Sequence, residues 1–153
     1  MRIEYIEPFA EATRNVLESV NGMNARRGEI SLEQQTDISG DVLVVVPLDG
    51  ESPGNIVLNM DTGTALRIAA GMGSGDGRTL SPLTMDSIAE LANMITGRAT
   101  SLLNDMGFDL MVRPPIIVDR DQMSRRVQYV EVCRIPVETD CGVVTVSVAL
   151  KND

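Results

Sequence analysis

Three polar residues and a glycine recur at helical spacing in the second half of the chain. Asp86, Glu90, Asn93 and Gly97 stand at positions i, i+4, i+7 and i+11. At about 100° per residue, they fall within about 60° of one another on a helix. Carboxylates pair with cationic groups, and a carboxamide is both a hydrogen-bond donor and an acceptor. The spacing therefore predicts a stripe of acidic and amide groups along one side of a helix.

This stripe has a plain structural explanation, because Asp, Glu and Asn are ordinary residues on the solvated side of an amphipathic helix. Gly97 does not fit that explanation. A glycine in the middle of an exposed helix is about 1 kcal/mol less favourable than alanine. The missing β-carbon is useful only where another body approaches closely, so Gly97 favours a docking surface.

The stripe requires a long helix. The sequence predicts this helix over residues 83–106, after the start signal Ser81-Pro82 and before the stop signal Gly107. Its apolar residues share the side nearly opposite the stripe, which we expect to face a sheet. They are Ile88, Leu91, Ala92, Ile95, Ala99, Leu102 and Met106.

The rest of the chain alternates runs of strands with helices. Apolar periodicity predicts two more helices over residues 8–20 and 62–69, and alternating or short apolar runs predict six strands. The strands cover residues 28–36, 42–46, 55–60, 112–118, 126–138 and 143–150. We expect the first three to be consecutive antiparallel neighbours. This order predicts a single α+β domain over residues 1–153, with a largely antiparallel sheet of about six strands covered on one side by about three helices.

Two segments offer weaker candidates for chemistry. The glycine-rich segment 71–77 predicts a flexible loop rather than a phosphate site, since it follows a helix and no Gly-Lys-Ser/Thr comes after it. Asp119 and Asp121 are the carboxylates that would suit a metal-dependent hydrolase. They lie in a predicted polar loop, where a solvated turn is the simpler interpretation.

The composition excludes several classes of function. The chain has no His, so it cannot build a catalytic triad that needs one, and the usual nitrogen ligands of zinc are missing. Its single Lys is Lys151, which disfavours a P-loop or Schiff-base lysine. The net charge of -9 opposes binding to nucleic acid or to an anionic membrane.

The two cysteines favour a reducing compartment. Cys133 and Cys141 are eight residues apart without a CxxC spacing, and we expect free thiols, with Cys141 in the turn of a final hairpin. The N-terminus lacks the apolar run of a signal peptide, and the longest apolar stretch, residues 42–47, is too short to cross a bilayer. We therefore expect a cytoplasmic protein without membrane insertion.

Residues 86–97 resemble the D/S-x3-E-x2-N-x3-G signature of the CheC/CheX/FliY phosphatases of bacterial chemotaxis. Residues 4–13 look like the opening of the CheX branch of that family, and residues 113–118 are similar to the segment after its active helix. The likeness spans most of the chain in the same order. It implies a CheC/CheX-like fold.

The resemblance also implies an activity, the hydrolysis of the aspartyl phosphate on a CheY-type response-regulator receiver domain of a two-component system. In the family, the residue matching Asn93 orients the attacking water and the residue matching Glu90 pairs with the receiver's active-site Lys. A carboxamide suits this task because it can hold a water in line with phosphorus. Asp86, Gly97 and Arg98 are then expected to contact the partner, and the Mg2+ is held by the receiver, so the chain needs no cofactor of its own.

Members of this family differ in the number of signatures that each chain carries. Glu18 and Asn21 repeat the Glu-x2-Asn spacing, but Arg14 and Ala25 replace the Asp or Ser and the Gly of the signature. A single site favours the CheX branch, whose members form homodimers through their sheets.

Arg98 leaves a second function open. Relatives often carry a small or amide residue at this position, and the Arg could change which receiver is chosen. The alternative is a non-catalytic module of the same fold that binds a receiver or a flagellar-motor component.

Overall fold

A computed structural model describes residues 3–125 and 131–150 of the 153-residue chain. A short 3-10 turn, Ile3–Tyr5, leads into the first of the helices in these ranges. The helices are α1 (Ile6–Asn21), α2 (Thr62–Gly71), α3 (Pro82–Asp105) and α4 (Arg120–Arg125). The strands are β1 (Ala25–Arg27), β2 (Ser31–Glu33), β3 (Val42–Gly50), β4 (Gly54–Met60), β5 (Leu110–Val112), β6 (Ile116–Val118), β7 (Val132–Thr139) and β8 (Gly142–Leu150).

All eight of these strands join one antiparallel sheet, in the order β1-β7-β8-β4-β3-β5. In addition, β2 pairs with β7 and β6 pairs with β3. The hairpins β3–β4 and β7–β8 form the centre of the sheet, joined by the β4–β8 pair. The predicted α+β class with a largely antiparallel sheet is confirmed.

The first predicted strand, residues 28–36, is wrong in its extent and in its pairing. The three-residue strand β2 lies inside this range and β1 lies just before it, and both pair with β7 rather than with β3. The pairing register shifts by one residue between them, where the Gly28 N–H donates to the Pro136 carbonyl over 2.8 Å. Pro136 has no N–H to return, and proline in sheets is confined to such breaks and edges.

The predicted strand 112–118 is also divided in two. Its ends form β5 and β6, and Pro114-Pro115 lies between them. Neither proline can donate a hydrogen bond to the neighbouring strand, so the pairing with β3 stops and resumes. The predicted strand 126–138 appears as β7, and its first five residues lie outside the described ranges.

The sheet is covered on both faces, which corrects the expectation of one helical layer. Along β3, alternate residues such as Val44 join the core under α1, α2 and α3, while Leu43 and Val45 pack on the other side with Val118 and Met123. Because both faces are buried, β3 begins with an unbroken apolar run. No helix in the described part of the chain is long and apolar enough to cross a membrane.

The second face is covered in part by α4, in the segment expected to be a polar loop. The Asp119 carboxylate accepts the Gln122 N–H over 2.7 Å, and the Gln122 side chain accepts the Asp119 N–H over 2.9 Å. This reciprocal capping box starts the helix. Met123 then anchors it, because this side chain is buried against the sheet.

The long helix α3 begins and ends within one residue of its predicted bounds. Ser81 is its N-cap, with the Ser81 hydroxyl accepting the Thr84 N–H over 3.2 Å, and Pro82 is the first helical residue. Gly107 follows the helix with a φ of 98°, a left-handed conformation that stops it.

The predicted apolar face of α3 is buried as far as Ala99. Beyond that point the prediction is wrong: Met106 is 57% exposed, Leu102 is only half-buried, and Leu103 is buried instead. The helix ends at Asp105, so Met106 no longer follows the helical phase that placed it on the core side. The core contacts of α3 are with α1, α2 and β3 among others. Burial of each large apolar side chain contributes about 1.5–3 kcal/mol to holding it there.

Candidate active site

The polar stripe of α3 lies on the surface of the molecule, on the side turned away from the sheet. Asp86 and Glu90 are exposed, whereas Asn93 and Gly97 are half-buried. The structure therefore brings these four residues together on one face, as the spacing predicts. Arg98 is exposed next to Gly97.

Asn93 is half-buried, yet its carboxamide makes no hydrogen bond to another described residue. Neither polar atom of the carboxamide is fully enclosed, because Ser147 Oγ is the only side-chain nitrogen or oxygen of the described residues that is both buried and without a partner. The carboxamide is thus available, as donor and acceptor, to a group that arrives from outside the chain.

Glu90 lies three residues before Asn93, about 4.5 Å nearer the N-terminus along the helix axis. Its carboxylate is exposed and forms no ion pair with a described residue. Asp86 lies one turn further toward the N-terminus and is also exposed, without a partner in the described part of the chain. The two acids form a negative patch that suits a cation of a binding partner.

Gly97 has no side chain, so it leaves open space on the helix surface near Asn93. A β-carbon placed at this glycine would meet no atom within 4 Å apart from the helix itself and its chain neighbours. Packing inside the molecule therefore does not require a glycine here. The space above Gly97 is open to another molecule.

The opposite side of the same helical turns is tied into the core. The Thr96 hydroxyl donates to the Ala92 carbonyl over 2.8 Å, and the Thr100 hydroxyl donates to the Thr96 carbonyl over 2.9 Å. Both threonines are buried, and these bonds satisfy their hydroxyl groups. The core contacts fix the rotation of α3, and this rotation points the stripe outward.

The other candidate segments do not assemble a site. Asp119 caps α4 and Asp121 forms an exposed ion pair with Arg125, so these carboxylates serve local structure on the other face of the sheet. In residues 3–125 and 131–150, no group of three or more His, Cys, Asp or Glu side chains is placed to hold a metal ion. The glycine-rich segment connects α2 to α3, and the Asp76 carboxylate accepts the N–H groups of Arg78 and Thr79 within it.

The incomplete signature of the first helix cannot form a second stripe. Asn21 is the last residue of α1, and Ala25 already belongs to β1. Glu18 pairs with Arg14 at 3.4 Å, which occupies its carboxylate. The geometry agrees with one complete signature, on α3.

One feature beside the stripe was missed by the sequence analysis. A groove of about 490 Å3 lies between α1 and α3, and one of its lining residues, Met94, directly follows Asn93 in the chain. Its α3 wall includes Gly97 and Arg98, and its α1 wall includes Asn15 and Ser19. No spacing rule joins residues some eighty positions apart, so only the packing of α1 on α3 reveals this wall.

Comparison with known proteins identifies the family to which the chain belongs. The family described as chemotaxis phosphatase CheX matches residues 42–138, a region that contains all of α3. The chain belongs to the CheX family. The expected relationship to the CheC/CheX/FliY phosphatases is thereby confirmed.

Individual CheX relatives agree with this assignment. The chain is 28% identical over 109 residues to the CheY-P phosphatase CheX of Thermotoga maritima, covering 71% of this chain and 68% of that protein. It is similar to the crystal structure of a chemotaxis protein CheX from Desulfovibrio desulfuricans, with 27% identity, a TM-score of 0.83, and coverage of 97% and 100% of the two chains.

A third relative is part of a complex. The chain is similar to a chain in the crystal structure of the CheX-CheY-BeF3-Mg2+ complex from Borrelia burgdorferi, with 28% identity and a TM-score of 0.83. This similarity covers 99% of the present chain and 100% of the other. It includes α1, which lies outside the region matched by the CheX family as a whole.

Proposed function

We propose that this chain hydrolyses the aspartyl phosphate of a CheY-type receiver domain, with Asn93 orienting the attacking water and Glu90 pairing with the receiver's Lys. The observation that carries the proposal is the Asn93 carboxamide, which has no hydrogen-bond partner among the described residues, beside an exposed Glu90 carboxylate that forms no ion pair with any of them. Membership of the CheX family and the similarity to the CheX-CheY complex support it.

In the proposed reaction, the main task of this chain is to position the attacking water. Attack of a water oxygen on phosphorus breaks the bond between phosphorus and the aspartyl oxygen, and it yields the free carboxylate and inorganic phosphate. The surplus proton of the water ends on the phosphate or in solvent, so the reaction needs no His. The carboxamide of Asn93 would hold the water in line with the breaking bond, which is worth a large part of the barrier in reactions of this kind.

The receiver would supply the remaining parts. Mg2+ neutralises charge on the transferring phosphoryl group, and we assign it to the receiver. Glu90 would meet the receiver's Lys at the surface, with Asp86 adding negative charge one turn away. Gly97 would let the receiver approach the helix without meeting a β-carbon.

The test measures the decay of phosphorylated receiver domains from the same genome, with and without the purified chain. We expect one receiver at least to lose its phosphate faster with the parent chain, and Asn93→Ala to remove this acceleration. Gln35→Ala changes an exposed amide in the loop between β2 and β3 and should behave as the parent does. Decay that the Asn93→Ala chain accelerates as well as the parent would contradict the assignment.

The same assay separates catalysis from docking. A chain that captures a receiver while the lifetime of its phosphate stays constant would be a binding module of the same fold. The carboxamide of Asn93 has no hydrogen-bond partner among the described residues and is therefore available to hold a water molecule as donor and acceptor, which favours catalysis.

We also propose a homodimer formed through the sheets, as the family resemblance implies. The edge made by β5 and β6 supports this assembly, because Met111, Ile116 and Ile117 are exposed there. Unpaired strand edges with apolar side chains favour pairing with another chain. Sedimentation equilibrium of the purified chain would check it, and a monomer at micromolar concentration would contradict it.

A further inference from the structure

The groove between α1 and α3 continues the polar stripe on its C-terminal side. Met94, Gly97 and Arg98 of α3 form one wall, one residue away from Asn93. The facing residues Asn15, Val16 and Ser19 come from α1. Gly97 belongs both to the stripe and to the wall of the groove, so a body that lies over the stripe at Gly97 also lies at the groove.

The floor of the groove is apolar. Val16 is buried and Met94 is half-buried, and both belong to or pack against the main core. Gly97 leaves the groove unfilled, since nothing lies within 4 Å of where its β-carbon would be. An apolar side chain from outside would bury its surface here against Val16 and Met94.

The rim of the groove is polar and carries one positive charge. Asn15 is half-buried, and its carboxamide has no hydrogen-bond partner among the described residues. Arg98 is exposed and forms no ion pair within the described part of the chain. The Ser19 hydroxyl donates to the Val16 carbonyl over 3.1 Å, so α1 holds it at the edge.

The charges along α3 have opposite signs at the two ends of the candidate site. Glu90 lies on one side of Asn93, and Arg98 lies about 12 Å from Glu90 along the helix axis. In a chain of net charge -9, an unpaired Arg is a specific attraction for an acidic group. A partner that fits both ends has a cation at Glu90 and a carboxylate at Arg98.

We propose that this groove binds a receiver element that carries an acidic side chain next to an apolar one, and that it thereby selects the receiver. The carboxylate pairs with Arg98, the apolar side chain enters over Gly97 against Val16 and Met94, and Asn15 bonds the backbone of the inserted element. This inference rests on the proposed phosphatase function. It adds α1 to the recognition surface and separates the choice of receiver from the chemical step.

The test uses binding, which needs no turnover. Receivers activated with beryllofluoride and Mg2+ are titrated with the chain, and the dissociation constant is followed by fluorescence anisotropy. We expect Arg98→Glu to weaken binding of the preferred receiver at least about tenfold, because it puts like charges together. Ser19→Leu, which fills the groove from the α1 side and introduces a better helix former, should weaken it about fivefold or more by occupying the apolar floor.

The matched control is Arg125→Glu, which changes the net charge equally at an exposed arginine of α4 on the other face of the sheet. It should bind as the parent does. The affinity of the parent should also fall more steeply with salt than that of Arg98→Ala, between about 50 and about 300 mM, because exposed charge pairs are screened.

The outcomes distinguish the two proposals. Unchanged affinity in both Arg98→Glu and Ser19→Leu overturns the groove assignment even if the parent is an active phosphatase. Binding that depends on the groove, without any faster loss of phosphate, supports the groove and overturns the proposed catalysis. If no activated receiver binds the parent, or if the two substitutions alter only self-association, the groove assignment is wrong.

Discussion

Glu90 and Asn93 lie three residues apart on one face of α3, but they differ in their surroundings. The Glu90 carboxylate is exposed, whereas Asn93 is half-buried and still has no partner among the described residues. An exposed charge can attract and orient a partner across solvent, and a partly enclosed amide can hold one small molecule in a fixed position. The two residues therefore suit different stages of one reaction, docking and positioning.

Glu90→Gln should weaken docking more than chemistry. Its loss removes a charge pair with the receiver's Lys, so we expect KM to rise about tenfold, while kcat changes less than about twofold. Steady-state dephosphorylation over a range of receiver concentrations measures both constants.

Glu29→Gln is the control for Glu90→Gln, because this glutamate is exposed in the segment between β1 and β2. It should leave both constants near those of the parent. A Glu90→Gln chain with the parent's KM would show that the carboxylate does not meet a cation in the complex.

Asn93→Ala should abolish the chemistry and spare the fold. We expect kcat to fall at least about a hundredfold, the scale seen when one positioned polar group is removed from an active site. Thermal unfolding should occur at the same temperature or slightly higher, because the carboxamide has no bond to lose and alanine is the better helix former.

Asn93→Asp sharpens this prediction. The shape of the side chain is kept, but the amide donor is replaced by a negative charge beside a phosphoryl group. Activity should fall as far as in Asn93→Ala. An active Asn93→Asp chain would show that the side chain acts as a base and not as a holder of water.

The sequence predicts the long helix and its outward stripe because both depend on local rules. Ser81 and Gly107 mark its ends, and the apolar residues from Ile88 to Ala99 fix its rotation. The spacing of Asp119 and Gln122 is also a local signal, because a capping pair of this kind marks the start of a helix such as α4.

Other features depend on contacts between distant parts of the chain. The pairing of β1 and β2 with β7 joins residues roughly a hundred positions apart, and periodicity cannot choose among several possible neighbours. The α1 wall of the groove is of the same kind. Asn15 and Ser19 look like ordinary surface residues until α1 is packed beside Gly97.

Cys133 should resist alkylation in the folded protein. Burial, together with the nearby charge of Glu131, raises the pKa of its thiol to about 11. At about pH 8, only about one thousandth of this thiol would be the reactive thiolate. Iodoacetamide labelling followed by peptide mass spectrometry should find Cys133 unmodified until denaturant is added, and rapid modification of the native chain would contradict its burial.

Asp61 should make the stability of the fold depend on pH. It caps α2, and the Thr64 backbone N–H, donating to its carboxylate over 2.8 Å, lowers its pKa, with the Thr64 hydroxyl acting in the same direction. Because the folded pKa is lowered, this stabilisation is present above the ordinary carboxyl pKa of about 4 and is lost as the pH falls through the folded value.

Two substitutions at Asp61 separate the cap from the charge. Asp61→Ala should lower the free energy of unfolding by about 1 kcal/mol at about pH 7. Asp61→Asn keeps a cap of similar strength but does not titrate, so its stability should fall less than that of the parent between about pH 5 and about pH 3. Urea unfolding at these pH values measures the difference. If the free energy of unfolding changes with pH in the same way for the parent and Asp61→Asn, the charge of Asp61 does not contribute to stability.

Gly97→Ala should raise stability and lower function at the same time. The added β-carbon meets no atom within 4 Å, so the substitution causes no clash in the free chain. Alanine should then stabilise α3 by about 1 kcal/mol, because glycine costs a helix that amount in conformational entropy. Urea unfolding measures this gain.

In the complex, the same methyl group stands where the receiver is proposed to lie against the helix. We expect the dissociation constant of the activated receiver to rise about tenfold or more in Gly97→Ala, because a close contact must open to admit the methyl group. Ser101→Ala, an exposed site one turn further along α3, should change neither stability nor binding by as much. If Gly97→Ala raises the free energy of unfolding and weakens receiver binding, while Ser101→Ala does neither, then the glycine serves partner binding and not the fold. A Gly97→Ala chain that is both more stable and equally strong in binding would remove this helix turn from the docking surface.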